Sequence, residues 1–269
     1  MEQIVINGKK APPGLPKRTI FYGEGVFETF RFRSVLPIFF EKHYARMKRG
    51  AGILGIPLAG MVDLARLIKE ALSEARLDDA YVKVCLLSDG GAGYYDRPNR
   101  GDILVIVRDY VPRTEPVRMN KCPFGRSSES PVHRIKSLNY LENVIARRGA
   151  NLMGFDESLF LNEKGEIAES TSSNIFWVRD NTLYTPSLDC GILPGITREI
   201  LINSVPSLGL TVEEGRFSPE DLTCSECTFL TNSISGSVPI AQLGELKLHI
   251  NNDLYNSIET LLYTKLRWD

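Results

Sequence analysis

The stretch His133-Arg134-Ile135-Lys136-Ser137-Leu138-Asn139-Tyr140-Leu141 decides how this chain is read, because it sets a single lysine, Lys136, among apolar neighbours just before a helix-periodic segment. Further along comes Gly165-Glu166-Ile167-Ala168-Glu169-Ser170-Thr171-Ser172-Ser173-Asn174-Ile175-Phe176, which carries Glu169 between a turn and a strand. Then follows Leu193-Pro194-Gly195-Ile196-Thr197-Arg198-Glu199, a proline and a glycine directly ahead of an apolar helix. In chain order these segments offer an amine able to form a Schiff base, a carboxylate, and a helix start whose free backbone N–H groups suit a phosphate.

Each element alone has an ordinary reading. Most lysines are solvated surface charges, and a Schiff-base lysine must instead reach its unprotonated form, which burial or a neighbouring cation favours. Ile135, Leu138 and Leu141, with Arg134 adjacent, are compatible with such a setting. Glu169 alone is a turn carboxylate, and Thr197 alone is an N-cap, although a cap leaves Pro194-Gly195 unexplained. Together they are what a pyridoxal phosphate enzyme must provide: the amine, a carboxylate that keeps the pyridine nitrogen protonated, and a phosphate cradle. Arg46, which follows His43 in a helical stretch, could reach that phosphate as a bidentate partner. Thr231-Asn232-Ser233-Ile234-Ser235-Gly236 closes a strand-like run and offers further donors.

Composition narrows the alternatives. The 269 residues have room for two modest domains, and 43% hydrophobic with 24% charged residues is ordinary for a soluble globular protein. A net charge of −1 and the absence of a basic stripe argue against a nucleic-acid partner. No apolar run reaches transmembrane length, and Met1-Glu2-Gln3-Ile4-Val5 lacks the layout of a signal peptide, so a cytoplasmic protein without a membrane partner is expected. The five cysteines are an odd number and read as reduced thiols. Cys224-Ser225-Glu226-Cys227 has zinc or redox spacing but no companion pair, so no metal is expected.

Along the chain, strands are expected at Ile4 to Asn7 before a turn at Gly8, at Val26 to Phe32 and at Leu36 to Phe40. Helices follow at 41–54 and 61–76, then strands at Ala80 to Leu87 and Ile103 to Val107 around a glycine-rich loop, Asp89 to Tyr95. The proline-bearing segment Arg108 to Pro116 reads as a linker, which divides the chain into a smaller N-terminal α+β domain (1–115) and a larger C-terminal domain (116–269). Beyond it, a helix is expected from about Leu138 with Leu141, Val144, Ile145 and Leu152 on one face. Strands at Ser158 to Leu161, Asn174 to Val178 and Thr182 to Tyr184 and helices starting at Thr197 and Leu254 complete an α+β chain.

With these motifs in order, the whole chain resembles the class IV family of pyridoxal phosphate enzymes, which includes branched-chain aminotransferases, D-amino acid aminotransferases and aminodeoxychorismate lyases. The resemblance runs from Tyr22-Gly23-Glu24-Gly25-Val26-Phe27-Glu28-Thr29 through His43-x-x-Arg46, Lys136, Glu169 and Leu193 to Arg198, and ends at Thr231 to Pro239. It implies the two-domain D-amino acid aminotransferase-like fold (fold type IV), with the C-terminal domain binding the cofactor. It also implies that Lys136 carries the Schiff base and then shuttles the proton, and that Glu169 pairs with the pyridine nitrogen. Arg46, Ile196, Thr197 and Ser233 would hold the phosphate, and Leu193 would pack against the ring. A homodimer with an interdomain loop near residues 109–117 is expected on the same ground.

Within the family, two reactions compete. In β-elimination, 4-amino-4-deoxychorismate yields pyruvate and 4-aminobenzoate, a folate precursor. Thr29 matches the place where the lyases carry a threonine that assists proton transfer, and Asn232 also resembles the lyase pattern. Against this, Ala92 stands where lyases often carry a loop arginine, so Arg97 or Arg31 is needed to receive a substrate carboxylate. The chain lacks the Arg-x-His pair with which D-amino acid aminotransferases bind that carboxylate. Tyr140 matches a tyrosine of the branched-chain enzymes, one residue out of step with the lysine. The lyase is the preferred reading. A transaminase of branched-chain or similar L-amino acids with 2-oxoglutarate is second, and a non-catalytic cofactor-binding homologue is third.

Overall fold

The computed structural model describes residues 4–113 and 115–268. The first three residues of the expected non-signal start, and Thr114 in the expected linker, lie outside the described residues. The chain opens with a small hairpin, β1 (Val5–Ile6) and β2 (Lys9–Lys10), turned by Asn7 and Gly8, both at positive φ. Two consecutive residues in that region match the twist of a tight hairpin. Helix α1 (Lys17–Tyr22), which pattern reading missed, leads into the first sheet.

That sheet has three antiparallel strands in the order β3 (Gly25–Arg33), β4 (Asp79–Gly90) and β5 (Pro98–Asp109). Alternation along β3 sends Val26, Phe30 and Phe32 to the face covered by α2 (Phe40–Leu54) and α3 (Met61–Ala75). There they pack with Met47, Leu64, Ile68 and Leu72, each large side chain contributing about 1.5–3 kcal/mol by leaving water. Both helices follow the expected periodicity. The strand expected at Leu36 to Phe40 does not form. Pro37 has no N–H for a ladder, and its carbonyl instead accepts the Phe40 N–H at 2.9 Å, in a turn that feeds α2.

The second sheet is mixed and has nine strands. Along its main path the order is β11 (Thr211–Gly215), β10 (Thr182–Pro186), β9 (Asn174–Arg179), β12 (Cys227–Asn232), β13 (Gly236–Leu243), β6 (Val117–Lys121), β7 (Glu157–Leu161) and β8 (Ile167–Ser170), with β14 (Leu246–Lys247) on β13. One face carries α5 (Ile196–Ser204) and α6 (Asn252–Leu266), packed on Phe176, Val178 and Phe229. The other buries Met119, Leu159, Trp177 and Ile240. Strands β6, β8, β11 and β13 were not foreseen. β8 is buried at every position, so it shows no alternation, and β13 contains Gly236 and Pro239, which read as turn residues.

Helix α4 (Leu141–Leu152) departs from expectation twice. It starts three residues late, because residues 136–138 pair with the free edge of β3: the Phe27 N–H donates to the Lys136 carbonyl at 2.8 Å, and the Leu138 N–H donates to that of Gly25 at 2.9 Å. Its packed face is also different. Ala146 and Ala150 are buried and let the helix lie close to the sheet, while Leu141, Ile145 and Leu152 are 65%, 52% and 89% exposed. Among the described residues no helix is long and apolar enough to cross a membrane.

Candidate active site

A cleft opens between the two sheets, and the three motifs meet in it. The edge of β3 builds one wall. Its outward N–H groups bind the Lys136 carbonyl through Phe27 and the Ser233 carbonyl, at 2.9 Å, through Arg31. Thr29 lies midway between these two anchors and lines the cleft with Lys136 and Ser233.

The Lys136 amine lies 4.6 Å from the centre of the Phe27 ring. Burial, with the Arg46 charge, pushes its pKa down to about 8, while Glu28 and Glu169 pull the other way. That value leaves roughly a tenth of the amine free at neutral pH, far more than an unshifted lysine, and the free form is what a nucleophilic lysine requires. Glu169, on β8, closes the opposite end. Its Oε1 accepts from Arg126 Nη1 at 2.7 Å, and its Oε2 accepts from Asn174 Nδ2 and the Leu193 N–H, both at 3.1 Å. Burial raises the Glu169 pKa, and Arg126 is the main opposing charge.

The phosphate end is equally defined. Helix α5 begins after Gly195 with no side-chain cap, so its first N–H groups, at Ile196 and Thr197, remain available at the cleft. A Cβ on Gly195 would stand 2.0 Å from Asn174 Oδ1, which explains the glycine. The Thr197 and Ser233 hydroxyls lie 3.0 Å apart beside it. Arg46 reaches the same place from α2. It is aimed by Glu28, whose two oxygens accept from its Nε (2.8 Å) and Nη2 (2.6 Å). A free amine, a carboxylate and an uncapped helix start with a guanidinium therefore fit pyridoxal phosphate by the chemistry of the donors present.

Ten of the sequence-derived candidates line the cleft: Arg46, Ile196, Thr197 and Ser233 at the phosphate end, and Thr29, Lys136, Tyr140, Glu169, Leu193 and Asn232 along the rest of it. The Tyr140 hydroxyl donates to the Thr171 carbonyl, and its ring packs edge-on against Phe27. Asn232 is largely committed to its own turn: its Oδ1 accepts from the N–H groups of Ile234 and Ser235, and its amide donates to Ser173 at 2.9 Å. Arg31 and Arg97 do not line the cleft. Arg31 is held by Asp79, with Nε to Oδ1 at 2.7 Å, and stacks on Tyr110; Arg97 is exposed at the β4–β5 tip.

Two cations escaped sequence reasoning. Arg126 precedes β7 in an aperiodic stretch and meets Glu169 only through tertiary packing. Lys83 lies opposite Thr29 in the β3–β4 register, and its ammonium is 4.5 Å from the same Phe27 ring that Lys136 contacts. It is half-buried and has no carboxylate partner among the described residues.

Residues 25–243 match the family model for amino-transferase class IV. The chain is 31% identical over 254 residues to the aminodeoxychorismate lyase of Bacillus subtilis, spanning 91% of this chain and 86% of that one. It is 30% identical to a Methanocaldococcus jannaschii protein provisionally assigned as a branched-chain-amino-acid aminotransferase, over 98% and 95% of the two chains. The crystal structure of a Legionella pneumophila protein, provisionally a 4-amino-4-deoxychorismate lyase, superposes with a TM-score of 0.89 at 31% identity, covering 98% of this chain and all of that one. The chain belongs to the class IV aminotransferase family and has the type IV fold of pyridoxal phosphate enzymes.

The lowered Lys136 pKa has a direct consequence. Borohydride trapping of pyridoxal phosphate on the apoprotein is expected to label Lys136, with a rate that rises with pH and levels off above about 8, since only the free amine attacks. A rate still climbing steeply towards pH 10 would show an ordinary exposed lysine.

Proposed function

We propose that this enzyme is an aminodeoxychorismate lyase, converting 4-amino-4-deoxychorismate to 4-aminobenzoate and pyruvate by β-elimination. The observation that carries the reading is Thr29 and Lys136 together in the cleft lining, a hydroxyl and an amine, with the Lys83 ammonium 4.5 Å from the Phe27 ring that Lys136 also contacts. The Bacillus subtilis and Legionella relatives support it. Bound pyridoxal phosphate supplies an aldehyde that condenses with amines and a ring that withdraws electrons.

The chain's own groups supply the rest. Lys136 would hold the cofactor through its free amine and, once the substrate's amine has displaced it, would move protons at its Nζ. Glu169 keeps its charge towards the pyridine nitrogen, fixed in place by Arg126, Asn174 and Leu193. Thr29 assists proton transfer to the leaving fragment. Lys83, at the Phe27 ring though not itself in the cleft lining, takes the part for which Arg97 or Arg31 was expected, receiving a substrate carboxylate with an ammonium that has no carboxylate partner among the described residues. Asn232 shapes the turn that presents Ser233.

The aminotransferase reading is second, favoured by Tyr140 at the cleft and by the Methanocaldococcus relative. The two separate cleanly. Repeated release of pyruvate from 4-amino-4-deoxychorismate with no keto acid present is expected of the lyase. No pyruvate, with amino transfer from L-glutamate or L-leucine to a keto acid, would establish the transaminase. Lys83→Met is expected to raise KM for the dicarboxylate substrate about tenfold or more, with a smaller change in kcat. An unchanged KM would remove Lys83 from the substrate site.

We also propose a homodimer. The apolar side chains that α4 leaves in the open, Leu141, Ile145 and Leu152, are the kind a partner subunit covers. Light scattering is expected to give twice the chain mass, and a monomer at micromolar concentration would refute this.

A further inference from the structure

We infer that Glu28 and His43 form a positioning device that aims Arg46 across the junction of the two sheets, so that the cofactor phosphate is gripped from both sides at once. The inference rests on the pyridoxal phosphate reading of the cleft and deepens it.

Arg46 is the only member of the proposed phosphate set that comes from the first sheet's helices; Ile196, Thr197 and Ser233 belong to the second half. Arg46 is 8% exposed, and its guanidinium gives three of its five N–H donors to the protein. Nε and Nη2 donate to the two oxygens of Glu28, and Nη1 donates to the Pro194 carbonyl at 3.0 Å, in the loop that leads into α5. Glu28 thus fixes the plane of the fork, and the Pro194 contact fixes its end against the very turn that presents the α5 N–H groups. Donors on Nη1 and Nη2 are left over for a ligand, because each carries two hydrogens.

His43 completes the device from one helical turn away. Its Nδ1 lies 2.7 Å from Glu28 Oε2, and it is 3% exposed with its ring tilted against Phe30. The Glu28 carboxylate, itself 2% exposed, is therefore held from two sides by residues of one helix. Burial opposes its ionisation, yet Arg46 and His43 outweigh burial and hold its pKa down to about 2, while burial keeps His43 lowered and so predominantly neutral. Glu28 sits on the face of β3 opposite Thr29 and does not line the cleft. It touches no reacting atom and acts only through Arg46.

A positioning role of this kind is selective for the phosphate. A residue needed merely for folding would affect every ligand of the cleft alike. The test compares the affinity of the full-length apoprotein for pyridoxal phosphate with that for pyridoxal, which lacks the phosphate, both followed by absorbance. The wild type is expected to prefer pyridoxal phosphate by at least tenfold. Glu28→Gln is expected to lose about tenfold in affinity for pyridoxal phosphate while its affinity for pyridoxal stays within about twofold. His43→Asn, which leaves the Glu28–Arg46 fork in place, should show the same selective pattern with a smaller loss and covers the case in which Glu28→Gln fails to fold. An equal loss for both ligands, or an unchanged preference in both variants, would overturn the inference. A wild type that does not distinguish the two ligands would instead overturn the phosphate reading of the cleft.

Discussion

The free edge of β3 is the constraint on which the rest of the site depends. An unpaired strand edge exposes a row of backbone donors and acceptors, and a buried one must find partners for them. Here the partners come from the other half of the chain: the backbone at Lys136 and Leu138 pairs near Gly25 and Phe27, and that at Ser233 pairs with Arg31. The segment bearing the reactive amine and the turn bearing a phosphate ligand are thus held at a fixed separation along one strand. Backbone hydrogen bonds resist displacement better than side-chain packing alone, because breaking them would leave buried polar groups unsatisfied at a cost of about 1–3 kcal/mol each.

Charge is distributed on this frame so that no two ions perform the same task. Glu28 is spent on Arg46 and His43, and Glu169 is shared between Arg126 and the cleft. Lys136 sits near both carboxylates, yet burial and the Arg46 charge win, and its pKa falls. A buried amine flanked only by carboxylates would stay protonated and unreactive. Burial is the larger cause, and the Arg46 guanidinium adds to it against the two carboxylates.

Much of the cleft was legible from residue types in order, because Lys136, Glu169 and Pro194-Gly195-Ile196-Thr197 each need a particular functional group or backbone at a particular place. The helices at 41–54 and 61–76 were legible because one side of each is solvated and the other is not. β8 was hidden for the opposite reason, being buried on both faces, and the apolar stripe of α4 misled because it faces outwards while alanines face the sheet. Arg31 looked available as a cation, and only the register of β3 against β4 shows Asp79 beside it.

What the sequence by itself determined is the chemistry on offer: an amine, a carboxylate, a glycine-led helix start and a threonine, with the order and spacing that mark the class IV family. Those are properties of side chains and local backbone, and they are written in single segments. The tertiary structure decided which charges are spent and which stay available. Lys83 stands by the Phe27 ring with no carboxylate partner among the described residues, Arg31 is consumed by Asp79, and Arg126 and Glu28 are recruited to hold Glu169 and Arg46. Electrostatic partners are chosen by distances of a few ångströms between segments far apart in the chain, and no local pattern records them.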